Sequence, residues 1–574
     1  MILRTPWGGP WRAFRGPLEV IAAWSPEEVR PCLDAVDRAT RGRGLYAAGF
    51  VTYEAASGLG LPAHAAGPAG LPLIAFGLYA PGDVTFQGRP RPGGASAVGS
   101  WTPSINRDTY RAAIGRIKAE IEAGNTYQIN FTFRLRAPWS GDPLGVLVNL
   151  HESQRGDWSA FVDTGRHAIC SASPEVFFVW NEGQVECRPM KGTAPRGRWI
   201  EEDRRHAAEL QASAKNRAEN VMIVDMVRND LGRIARTGSV EVASLFEVEP
   251  YPRQWQMVSR VTAAAPEATA VQFFDALFPS GSVTGAPKHS SMGLIRDLEC
   301  SPRGIYTGAI GYFSPRGRGH FNVAIRTITL DRDTSQAEFG VGSGVVWDSV
   351  DRDEYDECLL KASILVDPPP AFRLLETILY TPEEGFALLE RHLDRLDASA
   401  SYFSFALDKT EARQRLQDAR ADLQGPSRVR LLLARDGSLV CEAVDLGPAR
   451  EAPLRAAFAA EPIDPNDRFL YHKTTRRTVY EQARASQPDA DAVILWNPAG
   501  DVTESTEANI VALIAGEKVT PPVECGLLGG TFRADLLARG EITERRITRE
   551  ELRSAERVWL VNSVRGWREV GGIL

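Results

Sequence analysis

Hydrophobic and polar residues alternate in several short segments of the first two thirds of the chain. Four of these segments predict β-strands, namely "SAFVDT", "EVFFVW", "GAIGYFS" and "FNVAIRTITL". Longer stretches with helical spacing lie between and around them, at 105–124, 201–232 and 351–365. The pattern predicts an α+β fold with a large antiparallel sheet component.

Three consecutive prolines in "VDPPPAF" separate a helical stretch from the strand-like "FRLLETILY". Proline removes a backbone donor and stiffens the chain, so the segment predicts a linker. We therefore expect a first domain at 1–365, a proline linker at 366–371 and a second domain at 372–574. A chain of 574 residues is long enough to give each domain its own core.

Composition excludes several classes of partner. The formal charge of −7 and the pI near 5.8 provide no basic field for nucleic acid or anionic lipid, so small ligands held by local cationic sites are expected. Seven cysteines without metal-binding spacing favour a reducing compartment. The N-terminal "MILRTPWGGPWRAFRG" lacks an apolar core, and no run is long enough to span a bilayer. We expect a cytoplasmic protein that binds neither nucleic acid nor membrane.

Lysine is rare in this chain, with eight lysines among 66 lysine and arginine residues. Arginine cannot be deprotonated in a protein, whereas a buried lysine can lose its proton and act as a nucleophile. Lys191 in "RPMKGTAPRG" and Lys473 in "FLYHKTTRRTVY" are therefore candidates for amine chemistry. Ordinary surface charge is the alternative, which we prefer for Lys118, Lys409 and Lys518.

The last helical stretch of the first domain carries charged residues on one face. Glu354, Glu357 and Lys361 are spaced i, i+3 and i+7, so they project together. Mg²⁺ needs one or two carboxylates, water and an anionic ligand, and Glu219 on a preceding helix could complete such a site. Spacing alone favours the alternative, an exposed face with a Glu357–Lys361 ion pair.

Nine motifs of the first domain, in order, resemble those of the chorismate-utilising enzymes. They lie within residues 45–365 and read "GNTYQINFT", "SASPEVFF", "RPMKGTAPRG", "AENVMIVDMVRNDLGR", "FPSGSVTGAPK", "YTGAIGY", "AIRTI", "GVGSGVVWDS" and "DEYDECLLK". At the position of Lys191 the chain resembles the aminodeoxychorismate synthases, which have lysine there. Anthranilate synthases carry a small residue at this position. The resemblance implies the chorismate-binding-enzyme fold and amination of chorismate to 4-amino-4-deoxychorismate; anthranilate synthase-like activity is the alternative.

The same resemblance implies roles for individual residues. Lys191 would add covalently to C2 of chorismate as the C4 hydroxyl leaves with a proton from Glu175, and ammonia would then attack C4 and expel the lysine. Mg²⁺ would bind at Glu219, Glu354 and Glu357. The implied substrate-binding residues are Thr284, Gly285, Lys288, Arg326, Gly342, Ser343, Gly344 and Lys361.

Some of these residues have plainer interpretations when taken alone. Arg326 in a strand-like segment would be a solvated charge, and "SGSVTGAPK" a glycine-rich turn. One position departs from the family, because Gln256 in "QWQMVSR" replaces a histidine of many relatives, which makes an anthranilate-type reaction less expected. The segment from Tyr127 to Asn130 resembles a tryptophan-binding region of relatives, and we expect it to be structural here.

The source of ammonia is a separate question. The chain contains no G-x-C-x-G-type nucleophile loop with downstream His and Glu, so no glutaminase domain is fused to it. We expect ammonia to come from a separate glutamine amidotransferase subunit or from solution. A homodimer formed through the second domain is a further possibility that the family suggests.

The second domain contains its own set of chemical residues. Lys473 is followed by "GDVTESTEANIVAL" and "GLLGGTFRADLL". An amine for an aldehyde cofactor, an acid for a pyridine nitrogen and a glycine-rich turn opening a helix for phosphate suit pyridoxal phosphate. Together with "ERHLDRLDASA" and "WLVNSVRG" they resemble the fold-type IV pyridoxal-phosphate enzymes. The resemblance implies Lys473 as the Schiff-base lysine, Glu504 as the pyridine-nitrogen partner, and Arg395, Asn509 and Thr531 near the phosphate.

Fold type IV includes aminotransferases, so the fold alone does not define the reaction. The fusion of the two domains resembles the bifunctional synthase/lyase enzymes that make the folate precursor 4-aminobenzoate. It implies that Lys473 removes the C4 proton and pyruvate leaves, with Thr377 assisting protonation. Three alternatives stay open: an amino acid aminotransferase, a non-catalytic module, and Glu507 in the place of Glu504.

Overall fold

A computed structural model of the chain describes residues 1–5, 9–65, 70–365, 371–448 and 452–574. The chain divides into two compact units. The first contains Met1–Pro195 and Ala207–Pro370, and the second contains Arg196–His206 and Ala371–Leu574. The expected proline linker lies outside the described residues except for Ala371.

The described residues of the first unit form 21 strands. In chain order they are β1 (Ile2–Arg4), β2 (Trp11–Phe14), β3 (Glu19–Ala23), β4 (Tyr46–Val51), β5 (Ile74–Tyr79), β6 (Val84–Gln87), β7 (Ser96–Val98), β8 (Thr102–Pro103), β9 (Gln128–Gly141), β10 (Trp158–Asp163), β11 (His167–Ser173), β12 (Val176–Asn181), β13 (Gln184–Cys187), β14 (Met190–Pro195), β15 (Glu241–Pro250), β16 (Gln254–Ala264), β17 (Gly285–Ala286), β18 (Ala309–Ser314), β19 (Arg318–Val323), β20 (Thr327–Asp331) and β21 (Gln336–Val345) within the described residues.

These strands form two large sheets. One has the order β17-β9-β21-β20-β11-β10-β1-β2-β6, with β7 and β8 also paired to β9. The other has the order β14-β16-β13-β12-β19-β18-β4-β5-β3, with β15 paired to β16. The long β9–β21, β15–β16 and β18–β19 ladders are all antiparallel. The predicted α+β class with a large antiparallel component is therefore confirmed.

Helices flank the sheets. Up to residue 365 they are α1 (Pro26–Asp37), α2 (Arg107–Glu122), α3 (Pro143–Gln154), α4 (Ile200–Ala212), α5 (Ala214–Gly232), α6 (Ala270–Leu277), α7 (Lys288–Leu298) and α8 (Asp351–Ala362) in the described chain. The helical pattern at 201–232 is thus two helices. They divide at Ser213, whose hydroxyl accepts a hydrogen bond from the backbone N–H of Asn216 and so caps α5.

One predicted strand is also interrupted. "FNVAIRTITL" forms the end of β19 and all but the last residue of β20, and the backbone between them takes a left-handed turn at Arg326, where φ is 52°. Left-handed backbone is unusual for a residue with a Cβ atom. The turn interrupts the alternation of side chains that an extended strand would have. The Arg326 side chain is buried rather than solvated. The interpretation of Arg326 as a surface strand charge is wrong.

A large hydrophobic core joins the two sheets of the first unit, and a smaller core around Phe14 and Phe50 also contains strands of both sheets. The large core includes Phe131 and Phe133 of β9 in one sheet and Phe178 and Phe321 in the other. Phe273 of α6 stacks on Phe178 with 4.8 Å between ring centroids. Because large aromatic side chains contribute the most apolar area per residue, this cluster gives the sheets a rigid base for the polar cavity described below.

The second unit has a small and a large sheet. Its described strands are β22 (Leu374–Thr381), β23 (Gly385–Phe386), β24 (Ser427–Leu433), β25 (Leu439–Asp445), β26 (Leu454–Phe458), β27 (Ala492–Trp496), β28 (Val502–Ser505), β29 (Asn509–Ile514), β30 (Glu517–Thr520), β31 (Thr543–Glu544), β32 (Arg557–Asn562) and β33 (Gly566–Ile573). Their orders are β23-β22-β24-β25 and β28-β27-β26-β33-β32-β29-β30-β31. The described helices from residue 371 onward are α9 (Leu389–Phe403), α10 (Lys409–Arg420), α11 (Thr478–Ala485), α12 (Thr531–Ala538) and α13 (Arg549–Ser554).

Residues 196–206 belong to the second unit through specific contacts. Arg196 forms two hydrogen bonds to Asp203, at 2.8 and 2.7 Å, and its guanidinium lies 4.4 Å from the ring centroid of Tyr402. The Tyr402 hydroxyl donates to the carbonyl oxygen of Gly197 at 2.7 Å. The Tyr402 ring in turn packs on His472, which precedes Lys473 in the chain. Sequence reasoning assigned this segment to the first domain.

Among the helices of the described residues, none combines the length and the apolar character that a membrane crossing requires.

Candidate active sites

The first unit contains a cavity of about 450 Å³, lined by β14, β21, α5 and α8. Nine predicted site residues line it: Glu175, Lys191, Glu219, Arg326, Gly342, Gly344, Glu354, Glu357 and Lys361. These residues come from positions as far apart in sequence as 175 and 361, so the fold is what brings them together. A cavity lined by carboxylates, cations and glycine backbone suits a small anionic ligand.

Lys191 lies on β14 with its ammonium group 3.9 Å from Glu219 Oε2. Burial lowers the pKa of Lys191, and the nearby Glu219 carboxylate opposes this effect. Asn220 fixes the backbone by donating to the Lys191 carbonyl oxygen at 3.2 Å. A Cβ atom on Gly344 would lie 2.3 Å from Lys191 Nζ, so only glycine leaves space for the lysine. The lysine nitrogen is therefore held in place and is easier to deprotonate than an exposed lysine.

Glu175 is a buried carboxyl group in the same cavity. Burial raises its pKa to about 7, and a hydrogen bond from the Ser282 hydroxyl to Glu175 Oε1 at 2.6 Å lowers it only in part. Its backbone is held by Ser173, whose hydroxyl accepts from the Glu175 N–H at 3.1 Å. A carboxyl group with this pKa retains a proton near neutral pH and can act as an acid.

The three carboxylates predicted to bind Mg²⁺ all line the cavity, each with its own protein partner. Glu357 forms a 2.6 Å ion pair with Lys361, the Ser349 hydroxyl donates to Glu354 at 2.7 Å, and Glu219 faces Lys191. In the described part of the chain they do not form a cluster of three metal-binding side chains. The donor set still fits Mg²⁺, because this ion uses only one or two protein carboxylates and takes its other oxygens from water and ligand.

Two cations complete the cavity lining. Arg326 donates a hydrogen bond to the carbonyl oxygen of Lys361, and Lys361 Nζ donates to the carbonyl oxygen of Gly342 at 2.9 Å. Burial lowers the pKa of Arg326 to about 10, so it stays charged at neutral pH. A guanidinium and an ammonium group beside glycine backbone that lines the cavity can bind carboxylates.

Four predicted substrate-binding residues are not among the described lining of this cavity: Thr284, Gly285, Lys288 and Ser343. Lys288 instead forms a 2.7 Å ion pair with Asp230, and the Ser343 hydroxyl lies 2.8 Å from that of Tyr110. The Thr284 carbonyl oxygen accepts a hydrogen bond from the Asn130 N–H at 2.7 Å, and Gly285 pairs with the start of β9. Their contacts with substrate stay a prediction, and in this structure Thr284 and Gly285 support strand β9 while Lys288 is paired with helix α5.

Gln256, at the position where many relatives have histidine, also lines the cavity. Its Nε2 donates to the carbonyl oxygen of Gly192 at 2.9 Å, and its Oε1 accepts from the Thr193 hydroxyl at 3.1 Å. Both contacts lie directly after Lys191 in the chain, so Gln256 stabilises the backbone that carries the lysine. Tyr127 is 63% exposed, and its backbone N–H donates to the Ala286 carbonyl oxygen at 2.7 Å.

The second unit has a site around Lys473. Burial lowers the pKa of Lys473 to about 8, with Arg395 as the next contribution in the same direction. Burial raises the pKa of Glu504 to about 7, although its Oε1 accepts from the Tyr480 hydroxyl at 2.8 Å and from the Leu528 N–H at 3.2 Å. Glu507 is exposed. Only Glu504 of the two acids is therefore buried within electrostatic reach of Lys473.

The turn before α12 fits a phosphate group. Arg395 Nη1 donates to the Gly529 carbonyl oxygen at 3.1 Å, and Asn509 Nδ2 donates to that of Leu528 at 2.8 Å. Thr531 is the first residue of the helix, whose free N–H groups attract anions. A Cβ atom on Gly530 would lie 2.0 Å from Asn509 Oδ1, so this turn requires glycine. The residues present fit pyridoxal phosphate.

Sequence reasoning missed a buried network that connects these groups. Glu376 accepts hydrogen bonds from Arg395 Nε at 2.9 Å and from His392 Nδ1 at 2.7 Å, and His392 Nε2 lies 3.2 Å from the Thr531 hydroxyl. The signal was a single acid inside the apolar run "LLETILY". Side chains alternate along a strand, so Thr377 lies on the opposite face of β22 from Glu376. Its role stays a prediction.

Comparison with known proteins gives a family for each part of the chain. The model of the chorismate binding enzyme family matches residues 1–367, so the chain belongs to this family. The model of the amino-transferase class IV family matches residues 373–573. The predicted pairing of a chorismate-binding domain with a class IV domain is thereby confirmed.

Individual relatives refine the class. Aminodeoxychorismate synthase component 1 of Escherichia coli is 39% identical over 264 residues, which are 46% of this chain and 58% of that protein. Anthranilate synthase component 1 of Aquifex aeolicus is 35% identical over 269 residues, 46% of this chain and 54% of that protein. The chain thus spans less than three fifths of the length of each of these relatives. The structure of anthranilate synthase component I from Streptococcus pneumoniae aligns with a TM-score of 0.52 at 27% identity, covering 62% of this chain and 91% of that one.

Proposed function

We propose that the chain makes 4-aminobenzoate, a folate precursor, from chorismate and ammonia in two steps. The first unit acts as an aminodeoxychorismate synthase, a transferase that exchanges the C4 hydroxyl of chorismate for an amino group. The second unit acts as an aminodeoxychorismate lyase that removes pyruvate. The observation that carries the first step is the presence, in one cavity, of a lysine with a lowered pKa and a carboxyl group with a raised pKa.

In the first step Lys191 attacks C2 of chorismate. Both double bonds of the ring diene shift toward C4, and the C4 hydroxyl takes a proton from Glu175 and leaves as water. Ammonia then attacks C4, both double bonds shift back, and the bond between C2 and the lysine nitrogen breaks. Lys191 is released as the neutral amine, the extra proton of the new C4 ammonium group passes to the Glu175 carboxylate, and the product is 4-amino-4-deoxychorismate. Arginine at position 191 could not perform this reaction because it cannot be deprotonated.

The carboxylates of chorismate would be bound by the cations and backbone of the cavity. Arg326 and Lys361 provide two positive charges, and the turn from Gly342 to Gly344 provides backbone close to the ligand. Mg²⁺ would be held by one or two of Glu219, Glu354 and Glu357 and would neutralise a substrate carboxylate. The Glu357–Lys361 ion pair would loosen as the anionic ligand takes over Lys361.

In the second unit, bound pyridoxal phosphate would supply an electron sink. Lys473 would hold its aldehyde, Glu504 would face the pyridine nitrogen, and Arg395, Asn509 and Thr531 would surround the phosphate. With a pKa of about 8, Lys473 is able to take the C4 proton of the amino substrate. The three-carbon enol ether then leaves as pyruvate, because its departure makes the ring aromatic.

The ammonia of the first step would come from a separate glutamine amidotransferase subunit. Free ammonia at high concentration would replace it in the test tube. The cytoplasm is the proposed location, and a homodimer through the second unit is part of the proposal. For the second unit, an amino acid aminotransferase is the competing function, because the class IV family model matches it.

One experiment tests the proposal. The full chain is incubated with chorismate, ammonium chloride, Mg²⁺ and pyridoxal phosphate, and the products are separated by liquid chromatography. We expect 4-aminobenzoate and pyruvate in equal amounts. When pyridoxal phosphate is omitted, we expect 4-amino-4-deoxychorismate instead. Anthranilate as the product would contradict the first step. Transamination of amino acids without release of pyruvate from 4-amino-4-deoxychorismate would contradict the second.

A further inference from the structure

Gln128, at the start of β9, has a buried side chain that makes no hydrogen bond to the described residues. The residue is 1% exposed, and neither its Oε1 nor its Nε2 has a partner among them. Leaving a buried amide unpaired is unfavourable, because its polar groups lose their hydrogen bonds to water and gain none in the protein. Buried polar groups that remain unpaired in a folded protein point to a partner that forms during function.

The unpaired amide faces the same gap as Lys191. The Cβ position that Gly344 leaves empty lies 2.3 Å from Lys191 Nζ and 2.9 Å from Gln128 Nε2. Both atoms are hydrogen-bond donors when the lysine is protonated, so they cannot bond to each other in this arrangement. A half-turn of the terminal amide exchanges Nε2 for Oε1 and presents an acceptor to the lysine.

We propose that Gln128 is a positioning residue for Lys191, whose nitrogen donates a hydrogen bond to the Gln128 amide oxygen. This bond uses one N–H of the amine and directs the nitrogen lone pair to the cavity. The inference rests on the proposed function, since it assigns Gln128 to the residue that forms the covalent bond. Gln128 does not touch the reacting ring in this scheme and acts through Lys191.

A neutral acceptor suits this task better than a carboxylate. Burial lowers the pKa of Lys191, and the charged groups that act on it are Glu219, Lys361, Glu357 and Glu354. Glu175 also interacts with Lys191. Another carboxylate beside the nitrogen would favour the ammonium form and remove the lone pair needed for attack. An amide orients the amine without adding charge.

The backbone of Gln128 is held firmly enough for this role. The Gln128 carbonyl oxygen accepts hydrogen bonds from the hydroxyls of Thr126 at 3.1 Å and Ser291 at 3.4 Å. A Cβ atom on Gly285 would lie 2.2 Å from the same oxygen, so the two backbones are in direct contact. Thr126, Ser291 and Gly285 lie behind the cavity wall, and there they stabilise the backbone that carries the Gln128 side chain.

The first test compares Gln128→Leu with the full-length wild type. We expect kcat for chorismate amination to fall about 10- to 100-fold, since a misplaced reactive group commonly has this effect, while KM for chorismate changes less than about twofold. Gln336→Leu is the matched control, because Gln336 is an exposed residue of β21 whose loss should alter neither constant. An unchanged kcat in a folded Gln128→Leu protein, or equal changes in kcat and KM, would overturn the proposal.

The second test does not depend on catalysis. The rate at which acetic anhydride labels Lys191 is measured against pH, by mass spectrometry of the Lys191 peptide, with Lys118 as an internal reference. Gln128→Glu should raise the pKa of Lys191, because it adds a carboxylate beside the nitrogen, and should reduce labelling about tenfold at a pH below that pKa. Gln128→Leu should label at least as fast as wild type, because it lacks an acceptor for the ammonium form.

These measurements separate the two proposals. If the wild type does not aminate chorismate, the proposed function fails, and the labelling profiles alone decide whether Gln128 contacts Lys191. If Gln128→Leu does not fold, the pH profile of Lys191 labelling in Gln128→Glu decides whether Gln128 positions Lys191. A profile for Gln128→Glu identical to that of the wild type would overturn the role of Gln128 while leaving the proposed function intact.

Discussion

The Ser282 hydroxyl donates a 2.6 Å hydrogen bond to Glu175 Oε1, and it is the one hydrogen bond to this carboxyl group among the described side chains. A hydrogen bond from one neutral donor offsets only part of the rise in pKa that burial causes, so the pKa of Glu175 remains raised to about 7. The cavity therefore holds a carboxyl group whose pKa is raised together with a lysine whose pKa is lowered. The two groups require opposite protonation states for the proposed first step.

We expect a bell-shaped dependence of the amination rate on pH. The rate should rise with pH as Lys191 loses its proton and fall as pH passes about 7, where Glu175 ionises. Glu175→Gln should lower kcat by about 10²- to 10⁴-fold and abolish the falling limb. Steady-state kinetics between pH 5 and 9 are the measurement, with exposed Glu122→Gln as control. A falling limb retained in Glu175→Gln would assign the acid to another group.

The same carboxyl group should affect stability. The folded protein keeps the Glu175 proton up to about pH 7, whereas the unfolded chain loses it near pH 4.5. The stability contribution is thus fully present below about pH 4.5 and is lost progressively as pH rises through 7, at about 1.4 kcal/mol per unit over that interval. Glu175→Gln should flatten this part of the profile. Melting temperatures at pH 5 and 8 for both proteins test the sign.

Gly344→Ala should reduce amination by the first unit because it displaces Lys191. A methyl group at this position would lie 2.3 Å from Lys191 Nζ, closer than any stable contact, so the lysine must move. We expect amination to fall about 100-fold, while lyase activity on supplied 4-amino-4-deoxychorismate is unchanged. Gly115→Ala in α2 is the control, since a Cβ atom there meets nothing within 4 Å. Full amination by Gly344→Ala would refute the placement of the lysine.

Replacement of Lys191 separates charge from nucleophilicity. Lys191→Ala and Lys191→Arg should both lose detectable amination, although the arginine variant retains a cation, because neither provides an amine that can attack. Lyase activity should persist in both. Lys409→Ala, which removes a partly exposed ion pair with Asp394, should behave as wild type. Amination by Lys191→Arg near the wild-type rate would mean that the residue only supplies charge.

The sequence predicted the fold class and most of the cavity because these depend on local pattern and on motifs that keep their order. Arg326 shows where local pattern fails, since its burial follows from a left-handed backbone turn that alternation cannot reveal. Gln128 and Glu376 were missed because their significance depends on groups that the fold brings near them, Lys191 on the other side of the gap at Gly344 and His392 on a neighbouring helix. Thr284 and Gly285 were predicted to bind substrate, which stays a prediction, and their described contacts are with strand β9.

Chelation should distinguish the two units. If one or two of Glu219, Glu354 and Glu357 hold Mg²⁺ with chorismate, EDTA should stop amination and leave the lyase reaction unaffected. Isothermal titration should show that Mg²⁺ binds more tightly when chorismate is present. Glu219→Gln should weaken this coupling, while exposed Glu122→Gln should not. Loss of lyase activity in EDTA would contradict the assignment.

Lys473 is expected to be the attachment point of pyridoxal phosphate. Its pKa of about 8 makes the free amine accessible near neutral pH, and borohydride reduction should fix the cofactor on a peptide that contains "YHKTT". Lys473→Ala should lose this linkage and accumulate 4-amino-4-deoxychorismate from chorismate and ammonia. Lys518→Ala, at an exposed lysine of β30, should retain both properties. Recovery of the cofactor on Lys518 would refute the site.

The membership of residues 196–206 in the second unit affects how the two halves can be separated. A gene fragment that begins at residue 371 would encode every predicted pyridoxal-phosphate residue, yet it would lack Arg196, Gly197 and Asp203, which cover the Tyr402 side of that unit. Such a fragment would expose a surface that the intact chain keeps packed beside His472. The two units are therefore interleaved along the polypeptide. Because of this, a single cut at the prolines does not separate them into two complete units.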